Sequence, residues 1–241
     1  MDLLQFHAFC LTDTGSRLSE YGRALDAAVR EGDVVLDLGS GSGVLALMAC
    51  RAGAKGVYAV ESSDAIRLGE LIASKTEFAD RIEFIQSDSS KVVLNEQVDV
   101  IVGDIHDTFG LQPGGLASSF DARDRLLRPG GIVIPRSIEL LIAPVEAAKF
   151  YDKEVDVWSR SVQGLDVSAI KPFAANHVHA GRFEAEDLLS RLEPLGLLDL
   201  VRSNDVRFAG TATASISRDG IVHGLCGCFV TALGDDVVMK N

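Results

Sequence analysis

With 241 residues, 47% of them hydrophobic, the chain can bury the core of one large domain or of two unequal lobes. It has no run of about 20 consecutive apolar residues, which excludes a bilayer-spanning helix, and its start lacks a basic-then-apolar leader, so a cytoplasmic location is expected. A formal net charge of -12 argues against gripping nucleic acid through its phosphates, and fits either a solubilising surface or attraction of a cationic substrate. Cys10, Cys50, Cys226 and Cys228 are scattered, so reduced core thiols are expected rather than a disulfide framework or a metal centre.

In chain order, Leu18, Tyr21, Ala24, Leu25 and Ala28 recur at helical spacing and predict an amphipathic helix from residue 17 to 29, stopping at Gly32. Residues 33–38 form a short apolar run typical of a buried parallel strand, and 44–52 read as the helix after it. The pattern repeats with strands at 56–60, 82–85 and 98–102, helices at 64–74 and 120–127, a turn at 128–131 and a fifth strand at 132–134 ended by Pro135. The expected class is α/β: a doubly wound, mostly parallel Rossmann-like sheet in residues 1–135, followed by a smaller β-rich, barrel-like domain in residues 136–241. In that second part, strands are expected at 138–143, 206–216 and 221–233, with a hairpin turn at Arg218-Asp219-Gly220. Residues 151–179, which include Trp158, read as an excursion from it.

The most informative segment is Asp37-Leu38-Gly39-Ser40-Gly41-Ser42-Gly43, lying after a strand and opening a helix. Glycines there let the backbone turn sharply and approach a ligand, and the free amides of the helix start offer hydrogen bonds. Glu61 ends the second strand close to the ~20-residue spacing at which an acid takes a ribose diol. Gly41-Ser-Gly43-Val-Leu-Ala46 also satisfies a degenerate dinucleotide fingerprint. Counted from Gly39, however, that fingerprint needs a small residue at Val44, and the carboxylate of Asp37 would repel a pyrophosphate. Asp37 suits a cofactor carrying an ammonium and a sulfonium, which favours S-adenosylmethionine over a nicotinamide dinucleotide. Asp88 and Ser89, after the third strand, are placed to meet an adenine edge, with a solvated loop as the alternative.

The run VVLDLGSGSGVLALMACRAGAKGVYAVESS resembles the core of the class I methyltransferases and, within them, the protein arginine methyltransferases. The resemblance extends through LRPGGIVIPRSIELLIAPVE and GLDVSAI, from about residue 17 to about 233. It implies that Arg17, in an Arg-x-x-x-Tyr21 pattern, pairs with the cofactor carboxylate; a surface helix arginine is the alternative. It further implies that Glu61 takes the ribose, Asp88 and Ser89 the adenine, and Asp37, Gly39, Gly41 and Gly43 the methionine end. The family's β barrel-like lobe and a dimerisation arm near residues 151–179 are implied as well, hence a homodimer. The departure lies after the fourth strand, where the family carries two glutamates that clamp a guanidinium. Here Asp104 stands at the first position and Pro113 at the second, and one carboxylate cannot clamp a planar guanidinium from two sides. The family's Thr-His-Trp loop is also not found.

Methyl transfer from a sulfonium is an in-line displacement that needs a positioned nucleophile and a nearby base. Asp104, His106 and Asp107 are the candidates at the carboxyl end of the fourth strand, with Asp104 orienting a cationic group and His106 accepting a proton or serving only as a loop residue. His177 and His179 share one side of a strand-like stretch without a third ligand, so no metal site is expected; His7 and His223 are read as structural or surface residues. Three readings follow: a methyltransferase for a small-molecule or non-standard acceptor, a cationic one included; a divergent arginine methyltransferase; and a non-catalytic cofactor-binding or dimerising relative.

Overall fold

The computed structural model describes residues 3–12, 17–104, 109 and 114–240. The N-terminal helices are α1 (Leu3–Thr12) and α2 (Arg17–Ala28), and the first βα unit is β1 (Val34–Leu38) with α3 (Val44–Ala52). Next come β2 (Gly56–Glu61), α4 (Ile66–Ala73), β3 (Ile82–Gln86), β4 (Val98–Val102), α5 (Gly115–Leu126) and β5 (Leu127–Ile134). All four pairings in this sheet are parallel, in the order β3-β2-β1-β4-β5. The chain winds outward from β1 through β2 to β3, then crosses back to lay β4 on the other side of β1. The crevice above the carboxyl ends of β1 and β4 is therefore the topological switch point, where open α/β sheets place their ligands.

Every residue of β1 is buried, because helices cover both faces of the sheet. Val35 faces Tyr21, Leu25, Ala46 and Ala49 of α2 and α3, whereas Val34, Leu36 and Leu38 face Ala122 and Leu126 of α5. Side chains as enclosed as Leu25 and Leu36 each contribute roughly 1.5–3 kcal/mol by leaving water.

The parallel sheet ends at Ile134, and β6 (Ser137–Val145) opens a second one. An excursion follows, comprising α6 (Ala148–Glu154), the two-residue strands β7 (Ser161–Val162) and β8 (Leu165–Asp166), and α7 (Lys171–Ala175). The chain then returns as β9 (Glu193–Asp199), β10 (Gly224–Ala232) and β11 (Val238–Lys240), giving an antiparallel sheet ordered β11-β10-β6-β9. One face of it carries Ile138, Leu140, Leu198 and Phe229 into the same core as the β1–α3 side of the parallel sheet. Among the described residues no helix is long and apolar enough to cross a membrane.

Three expectations about the elements need correction. Residues 128–131 are not a turn but lie within β5, where Gly130 at φ 76° and a register shift opposite Val98–Val100 form an irregularity that keeps the strand paired. Residues 206–216 contain no strand: β9 takes the free edge of β6, and Val206 and Ile216 stay more than half exposed. Residues 218–220 do not turn a hairpin. Glu146 holds them instead, accepting from the Ile221 amide at 2.9 Å and from Arg218 Nη1 at 2.5 Å, and β10 starts only at Gly224.

Candidate cofactor and acceptor site

The loop that leaves β1 turns through three positive-φ glycines, Gly39 at 72°, Gly41 at 51° and Gly43 at 73°. Side chains would be strained at all three, and two are also crowded. A Cβ on Gly41 would lie 2.7 Å from His7 Cε1 of α1, and one on Gly43 would lie 3.2 Å from Gly69 Cα of α4. The loop is pinned to β2, since the amides of Gly39 and Ser40 both donate to Val60 O at 2.9 Å. Glu61, at the end of β2, then accepts from the Gly41 amide at 3.1 Å and from the Ser63 amide at 2.7 Å. Its carboxylate thus lies beside the loop.

Asp37 is wholly buried and points toward α3, where Oδ2 accepts from the Ala46 amide at 2.9 Å. That bond satisfies one of the free amides at the start of α3. Its Oδ1 has no hydrogen-bond partner among the described residues, and neither has the buried Oγ of Ser40 in the same loop. Burial raises the Asp37 pKa to about 7 against the lowering effect of the Ala46 amide, and the negative charges of Asp104 and Glu61 add to the rise. Asp37 therefore braces the loop from within, and its unpartnered oxygen is the group that remains to be satisfied.

After β4 the chain delivers Gly103 and Asp104 to the same crevice. Asp104 forms an ion pair with Arg17 of α2, both side chains being about three-quarters buried. The hydroxyl of the buried Tyr21 donates to Gly103 O at 3.2 Å and, more weakly, to Asp104 Oδ1 at 3.5 Å. Burial and the adjacent Asp104 carboxylate hold the Tyr21 hydroxyl well above its ordinary pKa, so it acts as a donor. The structure thus joins two residues assigned to different ends of the site, Arg17 to the cofactor carboxylate and Asp104 to the acceptor.

Asp88 is exposed and caps a short helical turn, accepting from the Ser90 amide at 2.9 Å and from Ser90 Oγ at 2.7 Å. Those bonds hold its pKa below the usual carboxylate range. The Ser89 carbonyl accepts from Arg125 at 2.8 Å. His106, Asp107 and Pro113 lie outside the described residues. His177 and His179 stand 5.4 Å apart between ring centroids, and among the described residues no group of three or more potential ligands could hold a metal ion. His7, read as structural or surface, packs beside Gly41 of the glycine loop. The apolar, weakly patterned run of α1 gave no periodic signal for a helix there.

A separate open depression of about 580 Å³, lined by residues including Glu31, Gly53, Lys55 and Arg81, lies at the amino ends of the strands. That is the end opposite the crevice, and Arg81 is already engaged by the carbonyls of Cys50 and Ala54.

With this geometry in view, residues 22–109 match the family model of the ribosomal protein L11 methyltransferase, PrmA. Protein arginine N-methyltransferase 6 of Danio rerio is 35% identical over 206 residues, covering 83% of this chain and 56% of that protein. Protein arginine N-methyltransferase 2 of Dictyostelium discoideum is 38% identical over 141 residues, covering 58% of this chain and 27% of its own length. The chain therefore spans about half or less of these relatives. Among solved structures, the Trypanosoma brucei PRMT1 enzyme–prozyme heterotetrameric complex with AdoHcy superposes with a TM-score of 0.88 at 26% identity, covering 98% of this chain and 76% of that one.

Proposed function

Because the chain belongs to the class I S-adenosylmethionine-dependent methyltransferases and resembles the protein arginine methyltransferases, we propose that it binds S-adenosylmethionine at the β1–α3 loop and transfers its methyl group to an acceptor held near Asp104. One observation carries this reading: the positive-φ glycines, Glu61 and Asp104 converge at the carboxyl ends of β1, β2 and β4. When bound, S-adenosylmethionine supplies an electrophilic methyl group on a cationic sulfur. The residues present fit such a group, because Glu61 and Asp37 supply carboxyl oxygens beside the loop, and Asp37 Oδ1 and Ser40 Oγ are buried polar atoms awaiting partners among the described residues.

Each side chain has its own part. Glu61 accepts from a ribose diol while keeping the Gly41 amide in place, Gly39 and Gly41 leave room for the methionine end, and His7 covers the loop against water. Arg17 neutralises a carboxylate, Asp88 and Ser89 border the adenine, and Asp104 orients the acceptor, with His106 as the candidate base. The acceptor is a small or non-standard nucleophile rather than an ordinary peptidyl arginine. Asp104 is one methylene shorter than glutamate and is drawn toward Arg17 and Tyr21, and among the described residues no second carboxylate completes a two-sided clamp with it.

The same ion pair favours a second reading, a cofactor-binding subunit that does no chemistry itself. The heterotetrameric arrangement of the trypanosomal relative gives that reading a form, and the apolar side chains exposed on the excursion, Val162, Leu165, Phe173 and Val178, are the surface we assign to assembly. Free cysteines at 50, 226 and 228 fit a reducing compartment, and we place the protein in the cytoplasm.

The test is incubation with labelled S-adenosylmethionine and a panel of arginine peptides, guanidino compounds and small amines, alongside calorimetry with the cofactor and its demethylated product. Binding with label transferred to a small acceptor supports the first reading, and binding without transfer the second. Label on peptidyl arginine would overturn the choice of acceptor, and failure of a folded sample to bind would overturn both readings.

A further inference from the structure

Gly69 stands in the middle of α4, where a glycine weakens a helix relative to alanine, and its φ is not positive. Its backbone conformation therefore does not require glycine. It is also the centre of the buried face of the helix, which Ile66 and Ala73 complete. The reason for the missing side chain is what lies opposite. A Cβ on Gly69 would stand 2.7 Å from Phe84 Cε1, 3.3 Å from the Ser42 carbonyl carbon and 3.4 Å from the Gly43 nitrogen. The approach is reciprocal, since a Cβ on Gly43 would meet Gly69 Cα and Phe84 Cε1, each at 3.2 Å. Helix α4 thus meets the glycine loop backbone to backbone, and the Phe84 ring of β3 fills the corner beside both glycines.

The touched atoms belong to the turn that carries the loop's own hydrogen bonds. The Gly43 amide donates to Ser40 O at 2.7 Å, and Gly43 O accepts from the Leu47 amide at 3.0 Å. In the same first turn of α3 the Ala46 amide donates to Asp37 Oδ2. A displacement of Gly43 is therefore passed to Ser40 and Asp37, the two residues whose buried oxygens remain to be satisfied. We propose that Gly69 is a positioning residue for the cofactor: by admitting α4 to backbone distance, it sets where Ser42 and Gly43 stand, and through them Ser40 and Asp37. The inference rests on the reading of this loop as the S-adenosylmethionine site, but the contact has a readout that needs no ligand.

Calorimetric titration of the full chain with S-adenosylmethionine, together with hydrogen exchange of the unliganded chain on peptides covering 39–48 and 127–134, tests the assignment. Gly69→Ala is expected to lower affinity about tenfold and to speed exchange in 39–48 by a similar factor, with 127–134 unchanged. Helix propensity alone would act in the opposite direction, because alanine strengthens α4. Phe84→Leu removes the ring edge, so combined with Gly69→Ala it should return affinity and exchange to within about threefold of the parent. Ile138→Val, buried in the second sheet, should lower the melting temperature and leave both readouts unchanged. For an acceptor that is turned over, Gly69→Ala should raise the KM for S-adenosylmethionine about tenfold and leave kcat within about threefold.

Parent-like affinity and exchange in Gly69→Ala, faster exchange in 127–134 as well, a matching response from Ile138→Val, or no recovery in the double substitution would make Gly69 an ordinary packing residue and overturn the proposal. If a folded parent chain failed to bind S-adenosylmethionine, the methyltransferase reading would fall, and the exchange pattern by itself would decide whether Gly69 holds the loop.

Discussion

The loop after β1 and the segment after β4 reach the same crevice, but their polar groups are committed in opposite ways. In the first, the backbone is held by strand and side-chain bonds, through Val60 O, Glu61 and Asp37, and polar atoms on Asp37 and Ser40 remain to be satisfied. In the second, the acid that would meet an acceptor is already engaged by Arg17 and Tyr21. A site can thus keep the geometry of its cofactor half while the acceptor half is rebuilt, because the two halves come from different crossovers of the sheet, joined among the described residues through the Arg17–Asp104 pair.

The sharpest way to break this comparison is through Asp37. Its folded pKa of about 7 is raised above the unfolded carboxylate value of ~3.9, so between these pH values the folded state binds more protons than the unfolded one. The group's penalty is absent below about pH 4, grows as pH rises and is complete above about pH 7, where it is on the order of 4 kcal/mol. Urea melts at pH 4.5, 6 and 8 are expected to show stability falling across this window and a flatter profile for Asp37→Asn. A parent profile as flat as that of the variant would refute the buried-acid assignment.

Next in size is Gly41→Val, which forces a β-branched residue into a positive φ beside His7, a strain on the order of 1–3 kcal/mol. Cofactor affinity should fall at least tenfold while the far side of the sheet keeps its exchange protection. Arg17→Ala and Asp104→Ala separate the two halves directly. The first is expected to weaken cofactor binding several-fold, whereas the second should leave it within about threefold, since a partly exposed ion pair contributes only ~1 kcal/mol to stability. Asp88→Ala should have the smallest effect: its carboxylate serves Ser90, so cofactor affinity should change less than threefold if the cap is its main duty, and more than about tenfold if it holds adenine.

What could be read in advance follows the same division. The strands β1 to β4 were legible because strands covered on both faces are nearly continuous apolar runs, and Asp37, the glycines and Glu61 were legible because their spacing is local. β9 was hidden by Pro194 and Gly196, which an edge strand tolerates and which here admit the Phe208 ring against the glycine. The alternation of residues 206–216 misled because alternation reports two unlike faces, not an available partner edge. The Arg17–Asp104 pair, 87 residues apart, was illegible because it depends on the sheet winding back past β1, and the cover of His7 over Gly41 because it depends on how α1 packs on the loop.

The central claim is that the cofactor half is intact, and parallel calorimetric titrations of the parent chain, Glu61→Ala and Asp104→Ala with S-adenosylmethionine test it most directly. The account predicts binding by the parent, a loss of about tenfold or more in Glu61→Ala, and affinity within about threefold of the parent in Asp104→Ala. No binding by a folded parent chain, or equal binding by Glu61→Ala, would contradict it.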